Sequence, residues 1–195
     1  MKAQDDLVDV LTTKLKSVTL NRKTPGGAKT NKNRLSFEKQ TDIPKCPLLC
    51  LGDKVKFSKD KKLKTDYYIP FEIKDTKGNG TKFKRQFKHG VQKYFEIYHT
   101  FDSKSPYKKL QPDECFLDEE NKRLFVLEKK AQSQNGSVDE QLQTGPFKFF
   151  KYKKLYPGYE VRYALVLNKW FYENRSKYEH LLEYLKSKNI PVFWG

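Results

Sequence analysis

The clearest pattern of apolar and polar positions along this chain lies in its second half. Residues 115–117 and 124–127 form two short apolar runs, and the polar residues 118–121 separate them. Two apolar runs of this length on either side of a polar turn predict a β-hairpin.

Charged residues flank the predicted hairpin. Asp113 precedes its first strand, while Glu128 and Lys130 end the second. Side chains alternate between the two faces of a strand, so Glu128 and Lys130 share one face and Lys129 points to the other. Pairing of the two strands would set Asp113 beside Glu128. Two carboxylates and an ammonium at one spot are typical of a Mg²⁺ hydrolysis site, in which lysine orients a water or steadies negative charge.

A second hairpin is predicted from residues 67–74 and 82–87, which a Gly-containing turn connects. Pro70 interrupts the first of these strands and favours an edge position, because proline cannot donate a ladder hydrogen bond. The second strand alternates, with Phe83, Arg85 and Phe87 on one face and Lys82, Lys84 and Gln86 on the other. This pattern suits a ribbon laid against DNA, with Lys82, Lys84 and Arg85 as contacts. The alternative is an aromatic core face with solvated lysines.

The other periodic segments mix helices and strands. Apolar spacing predicts helices over residues 5–18, 88–99, 147–156 and 178–185, a further helix from Ser137, and strands over 160–167 and 191–195. Gly145-Pro146 is expected to break the helix that starts at Ser137. Residues 21–34 are basic and carry no large apolar side chain. They predict either a flexible arm that contacts DNA phosphates through Lys32 and Arg34, or a disordered linker.

Composition narrows the class of partner. The chain has 195 residues, with 40 Lys plus Arg against 24 Asp plus Glu and a formal net charge of +16. A polyanion such as nucleic acid is the economical explanation, although a solvated lysine-rich surface accounts for the charge as well. No apolar run approaches the roughly 20 residues that span a bilayer. We therefore expect a soluble cytoplasmic protein with no membrane contact.

These residues resemble the PD-(D/E)XK nuclease superfamily, whose pattern is Pro-Asp followed at a distance by Asp or Glu, any residue, and Lys. The match is Pro112-Asp113 with Glu128-Lys129-Lys130. The resemblance implies Mg²⁺ held by Asp113, Glu128 and the backbone carbonyl of Lys129, with Lys130 next to the attacking water. It also implies that Gln132 supports the site or contacts the DNA backbone. The break at Gly145-Pro146 departs from the family's pattern.

Two other Glu-x-Lys triplets compete with this assignment, Glu72-Ile73-Lys74 and Glu120-Asn121-Lys122. The second falls in the predicted turn, and the first lies in the strand that Pro70 interrupts. Strand context therefore selects Glu128 and Lys130. Glu96, on the helix predicted near residue 88, is an additional candidate acid for the site, although an exposed helix glutamate is the commoner outcome.

The predicted fold is α/β, with a restriction-endonuclease-like mixed central sheet flanked by helices and an N-terminal basic β-rich extension. Residues 1–87 form the predicted DNA-contacting region and residues 88–195 the nuclease core. The expected function is Mg²⁺-dependent cleavage of double-stranded DNA, most like a type II restriction endonuclease. Cutting both strands of a palindrome favours a homodimer. The alternatives are a repair or recombination nuclease and a non-catalytic nucleic-acid-binding module.

Overall fold

The structure is a computed structural model, and it describes residues 36–37, 41, 49–57, 67–74, 80–99, 101, 104–133 and 138–195. The chain divides into two compact units. The hairpin unit comprises residues 47–128 and 147–163, and the C-terminal unit comprises residues 1–46, 129–146 and 164–195. The predicted helix over 5–18 and the basic arm over 21–34, with Lys32 and Arg34, lie outside the described residues.

The protein is an α/β protein built on a mixed, open β-sheet, as the sequence predicted. The strands are β1 Leu49–Leu51, β2 Val55–Lys56, β3 Tyr67–Lys74, β4 Gly80–Gln86, β5 Glu114–Asp118, β6 Arg123–Lys130, β7 Glu160–Leu167 and β8 Val192–Trp194. The strand order is β1-β3-β4-β5-β6-β7-β8, and β2 pairs separately with β3.

The helices lie between these strands along the chain. They are α1 His89–Tyr98, α2 Val138–Gln143, α3 Gly145–Leu155, α4 Lys169–Glu173 and α5 Glu179–Ser187, with a 3₁₀ turn at Arg175–Tyr178. In the described part of the chain, no helix combines the length and the apolar character needed to cross a membrane.

Strands β1 to β6 pair antiparallel within the hairpin unit, and β3 has neighbours on both sides. The prediction that β3 is an edge strand was therefore wrong. The short strands β1 and β2 cover different parts of its outer side, since Leu51 pairs with Phe71 and Val55 with Tyr68. Pro70 falls in the gap between them. Its carbonyl accepts a hydrogen bond from the Gly52 amide at 2.8 Å, so the missing N–H of proline costs no ladder partner there.

Because β4 pairs with β5, the strands before residue 88 join the same sheet as the central hairpin. The expected division into residues 1–87 and 88–195 does not coincide with the limits of either compact unit. That division stays a prediction about function. The alternating β4 strand is nonetheless part of the sheet rather than a free ribbon.

The predicted β5–β6 hairpin is confirmed, with Cys115 opposite Val126 and Asp118 opposite Arg123. The buried Asp118 carboxylate holds the turn together. It accepts hydrogen bonds from the Asn121 backbone amide at 3.0 Å and from Arg123 Nε at 3.0 Å. Lys122 adopts the left-handed conformation with φ 51° that closes the turn.

Gly145-Pro146 ends one helix and begins the next. Helix α2 stops at Gln143 and α3 starts at Gly145, so Pro146 lies in the first turn of α3, where its missing N–H has no intrahelical acceptor. Aromatic side chains of α3 lie on more than one side of the helix. Buried Phe149 and Tyr152 lie on its inner side, whereas Phe147 is exposed.

The end of the chain follows the sequence prediction. Strand β7 spans the predicted residues 160–167 and runs parallel to β8. It also runs in the direction of β6, because the Glu160 amide bonds to the Lys122 carbonyl near the start of β6 and the Asn168 amide to the Lys130 carbonyl at its end. Helix α5, predicted from leucine spacing, leads into β8.

We predict that Asp118→Ala lowers the free energy of unfolding by about 3 kcal/mol, because it leaves the turn amide and Arg123 without their acceptor. Urea denaturation at neutral pH measures the loss. Glu160→Ala is the matched control, since Glu160 pairs with Arg162 on the exposed side of β7. That control should change stability by no more than about 0.5 kcal/mol. Equal losses in the two variants would contradict the role given to the buried turn.

Candidate active site

Glu128 lies near the end of β6 and is almost completely buried, with 3% of its surface exposed. Both of its carboxylate oxygens contact donors from helix α3. Lys148 Nζ lies 3.1 Å from Oε2, and the Tyr152 hydroxyl donates to Oε1 at 3.2 Å. Burial of a charge costs several kcal/mol unless it is paired and hydrogen-bonded. Lys148 and Tyr152 supply that compensation.

Two buried tyrosines line the inner side of Glu128. The rings of Tyr152 and Tyr163 lie 5.9 Å apart. Burial raises the pKa of Tyr152, and the negative charge of Glu128 raises it further. The phenol therefore stays protonated at neutral pH and donates its hydrogen to the carboxylate. Tyr152 fixes the orientation of Glu128.

Asp113 sits where the hairpin register requires it. Glu114 pairs with Leu127, so continuing the antiparallel register by one residue sets Asp113 opposite Glu128. The pKa of Tyr163 is raised by burial and then by the charges of Glu128 and Asp113, which places both carboxylates within electrostatic range of one hydroxyl. Asp113 is half-buried at the mouth of the strand pair. Both predicted acids therefore lie near Tyr163 at this end of the hairpin, and their joint role stays a prediction.

Lys129 and Lys130 follow Glu128 in the same strand, with opposite orientations. Lys129 is buried, and its ammonium donates to the Thr41 carbonyl at 3.3 Å. Lys130 is half-buried and lies two positions from Glu128, so strand alternation directs both side chains to one face. The predicted arrangement of the Glu-x-Lys triplet on a strand is therefore present. The expected role of the Lys129 carbonyl stays a prediction.

Gln132 belongs to a hydrogen-bond network within the C-terminal unit. Its backbone amide and carbonyl bond to the side chain of Asn168 at 3.1 and 2.8 Å, and its own side chain donates to Asp139 at 3.2 Å. Asp139 also accepts from Lys177 and Tyr178. Burial raises the pKa of Asp139, but these donors outweigh it, so the net pKa is lowered. Gln132 is buried, and its observed partners anchor the chain after β6.

The predicted DNA contacts on β4 separate into different environments. Lys82 is exposed, whereas Arg85 is 2% exposed and pairs with buried Glu114 of β5. An Arg85 held in this way is not on the surface that a phosphate reaches. Alternation sets Arg85 on the same face of β4 as Phe83, and it does not report that the fold buries this face. Glu96 of α1 forms an exposed ion pair with Lys93 at 3.3 Å.

Lys84 takes part in a second polar cluster centred on Glu119, in the turn after β5. Its ammonium contacts Glu119 Oε2, the Tyr94 hydroxyl donates to Oε1 at 2.8 Å, and His99 Nε2 lies 3.2 Å from Oε1. Burial raises the pKa of Glu119, but hydrogen bonds from Lys84, Tyr94 and His99 outweigh this and lower it overall. Burial raises the pKa of Tyr94, and the hydrogen bond to Glu119 and the charge of that carboxylate raise it further.

A cavity of about 580 Å³ opens beside this cluster. Its lining includes Tyr68, Phe71 and Glu72 of β3, Lys82 and Lys84 of β4, and Glu119 of the turn. Glu72 belongs to the first competing Glu-x-Lys triplet. The second, Glu120-Asn121-Lys122, lies in the hairpin turn as predicted.

Sequence reasoning missed Lys148 and Tyr152. Their signal was the spacing of i and i+4 within the predicted helix, which sets both side chains on one face. Which face of the helix would meet Glu128 depends on how the chain after β6 returns to the sheet. That return is a long-range feature, and the local pattern did not encode it.

Asp113 and Glu128 carry carboxylates, the type of ligand that a hard cation such as Mg²⁺ prefers. Across the described residues, no group of three or more His, Cys, Asp or Glu side chains is arranged to hold a metal ion. Mg²⁺ commonly takes one or two carboxylates and completes its shell with water and substrate phosphate. Two carboxylates such as Asp113 and Glu128 would be enough for such a site, which stays a prediction.

No protein-family model matches this chain, and no curated protein or solved structure is similar to it.

The Glu119 cluster predicts a dependence of stability on pH. Because the pKa of folded Glu119 is lowered from its ordinary value of 4.5, its contribution is present above about pH 4.5 and is lost as the pH falls through the folded pKa. We expect Glu119→Gln to reduce the free energy of unfolding at pH 7 more than at pH 3. Tyr94→Phe, which removes one donor, should show a smaller difference. Urea unfolding at both pH values measures the loss of stability in each variant. A loss that is independent of pH would contradict the role given to Glu119.

Proposed function

We propose that this protein is a Mg²⁺-dependent endonuclease that hydrolyses phosphodiester bonds of double-stranded DNA, most similar to type II restriction endonucleases of the PD-(D/E)XK superfamily. The observation that carries the proposal is the register of the β5–β6 hairpin. Continued by one residue beyond Glu114, this register sets Asp113 opposite Glu128, and Lys130 lies two residues further along the same strand.

The order of elements supports the finer, restriction-endonuclease-like fold. Helix α1 precedes the hairpin, α3 follows it, and β7 runs parallel to β6 in the same sheet. The resemblance implies this arrangement of a helix, an antiparallel pair that bears the acids, a returning helix and a further strand. The short α2 and the break before α3 are additions to that pattern.

The proposed roles follow from chemistry and position. Asp113 and Glu128 are the carboxylate ligands, and the Lys129 carbonyl is a third oxygen donor. Lys130 orients the attacking water and stabilises the negative charge that develops on the phosphate. Bound Mg²⁺ supplies Lewis-acid polarisation of the phosphate and a lower pKa for a bound water.

Side chains of helix α3 orient the Glu128 carboxylate for this proposed role. Tyr152 is fully buried and donates to one carboxylate oxygen, so it fixes the rotamer. Lys148 is partly exposed and contacts the other oxygen. A cation that binds Glu128 competes with the Lys148 ammonium for Oε2, and the long lysine side chain has the freedom to move towards solvent.

The charge of the chain supports a DNA substrate. A net charge of +16 provides a sequence-independent contribution to affinity, and the log of the binding constant should fall with log salt by about 0.9 per phosphate neutralised. Lys82 is exposed and remains a proposed contact, while Lys84 is shared with Glu119. Cleavage of both strands of a palindrome would need two protomers, so a homodimer is part of the proposal.

One observation favours a different function. Both oxygens of Glu128 already have donors, which is also how a purely structural buried carboxylate is arranged. Under that alternative the protein is a non-catalytic nucleic-acid-binding module. A repair or recombination nuclease would use the same site on a different DNA substrate.

We predict that Glu128→Gln and Lys130→Ala each lower Mg²⁺-dependent DNA cleavage by at least about two orders of magnitude, since each removes a group that stabilises the transition state. DNA binding measured in EDTA should change little. Incubation with mixed-sequence duplex DNA and Mg²⁺ is the assay, with urea unfolding to confirm that the variants are folded. Discrete fragments indicate a restriction enzyme, and cuts confined to junctions indicate a repair nuclease.

The competing triplet in the turn supplies the matched control. Glu120→Ala and Lys122→Gly change a glutamate and a lysine of the same spacing, and glycine suits the left-handed φ of 51° at residue 122. Both should cleave like the wild type. Cleavage that survives in Glu128→Gln and Lys130→Ala would exclude this site, and a wild-type protein that binds DNA without cutting it would favour the binding module.

Lys148 allows a test that does not depend on turnover. We predict that Mg²⁺ raises the melting temperature of Lys148→Met more than that of the wild type, because the variant lacks the ammonium that competes for Glu128. The Mg²⁺ concentration for half-maximal binding should fall severalfold. Lys153→Met, on the exposed side of the same helix, is the control and should respond like the wild type. A variant that is merely less stable, with no added response to Mg²⁺, would support a structural Glu128.

A further inference from the structure

Helix α3 presents a second, outward face that the proposed catalytic role does not use. Phe147 and Phe150 are 56% and 46% exposed, and their rings lie nearly parallel, with an interplanar angle of 8° and centroids 6.4 Å apart. Single exposed apolar residues are ordinary, but two aligned phenylalanines on one helix face form a coherent apolar surface.

Lysines accompany these rings. Lys151 Nζ lies 4.2 Å from the centroid of Phe147, and Lys154 Nζ lies 5.6 Å from that of Phe150. Residues 147, 150, 151 and 154 have the spacing i, i+3, i+4 and i+7, so they form one stripe along the helix. We call this stripe the Phe–Lys face.

The charge on helix α3 has one sign. Helix α3, with the sequence GPFKFFKYKKL, carries four lysines and no acidic residue. Lys151 also lies 5.8 Å from the ring of Tyr107, so the loop that contains Tyr107 adjoins the face. That loop contributes the exposed lysines Lys104, Lys108 and Lys109. A purely apolar partner would match the phenylalanine rings but not the lysines. A polyanion that also carries planar apolar groups would match both.

We propose that the Phe–Lys face binds single-stranded DNA, with unpaired bases stacked on Phe147 and Phe150 and phosphates neutralised by Lys151 and Lys154. Aromatic side chains interleaved with lysines are the elements of a base-stacking platform, since every base offers a π-face and every nucleotide a negative charge. The choice of DNA over RNA rests on the proposed cleavage at Glu128. Stacking and phosphate contact do not rest on it.

The position of the face gives the inference its functional content. Lys148 and Tyr152 contact Glu128 from the inner side of the same helix, and Phe147 and Lys151 are their immediate neighbours in sequence. A strand held on the Phe–Lys face therefore lies within a helix diameter of the candidate active site. This predicts a preference for DNA that carries unpaired bases beside the duplex that is cut.

Binding of a labelled oligo-dT strand in EDTA tests the proposal without any cleavage. We expect Phe147→Ala combined with Phe150→Ala to weaken binding tenfold or more, as for the loss of stacked bases. An abasic strand of equal length keeps the phosphates but lacks the bases. Its binding should change less than twofold in the same variant. Lys151→Gln and Lys154→Gln should weaken the binding of both the oligo-dT strand and the abasic strand. Each should reduce the slope of the log of the binding constant against log salt by about 0.7.

The matched control is Tyr184→Ala on helix α5. Tyr184 is 47% exposed and has Lys188 Nζ 5.3 Å from its ring centroid, so it reproduces an aromatic–lysine pair elsewhere on the surface. It should bind oligo-dT like the wild type. Equal weakening by Tyr184→Ala, or equal loss for the abasic strand, would overturn the assignment.

Two further results would also overturn the proposal. Tighter binding of oligo-rU than of oligo-dT would exclude DNA as the preferred strand. Binding to vesicles of anionic lipid that is lost in the phenylalanine variant, with oligo-dT binding retained, would make the surface a membrane contact. Retained oligo-dT binding by Glu128→Gln together with lost cleavage supports both proposals, whereas a wild-type protein that cleaves duplex DNA but binds oligo-dT no better than the abasic strand overturns this one alone.

Discussion

The antiparallel pairing of β5 with β6 is the interaction on which the rest of the described structure depends. Every residue of β5 and six consecutive residues of β6 are buried, so the pair lies at the centre of the sheet. A shift of the register by one residue would turn every side chain to the opposite face. The Asp118–Arg123 pair in the turn opposes such a shift. Extended by one residue beyond Glu114, that register also sets Asp113 opposite Glu128.

Burying the acids of this hairpin creates an electrostatic constraint that the rest of the chain satisfies. Glu114 pairs with Arg85 from β4, Asp118 with Arg123 of the hairpin itself, and Glu128 with Lys148 from α3. Each carboxylate requires a cation because an unpaired buried charge costs several kcal/mol. Part of the positive charge of the chain is therefore used inside the fold. The remaining surface lysines are those available to a polyanion.

Local patterns predicted the elements well, and long-range packing decided what they missed. The hairpin, the break at Gly145-Pro146 and strand β7 follow from apolar runs and proline chemistry, which are properties of neighbouring residues. The edge position predicted from Pro70 was wrong because the gap between β1 and β2, which accommodates this proline, is formed by a segment distant along the chain. Arg85 was predicted to be exposed because alternation reports two faces but not what covers them. Gln132 and Lys148 acquired their partners in the same way, from Asn168 and Glu128.

Helix α3 shows how one element serves two purposes and why its pattern was ambiguous. Aromatic residues surround its axis, so no single apolar stripe marks the inner side. Tyr152 and Phe149 fill the space against Tyr163, while Phe147 and Phe150 remain at the surface. The stability of the helix requires only the inner set, since exposed phenylalanines contribute little burial. The outer pair, Phe147 and Phe150, thus calls for an explanation other than folding stability. The lysines over both rings are consistent with the proposed binding of a nucleic-acid strand.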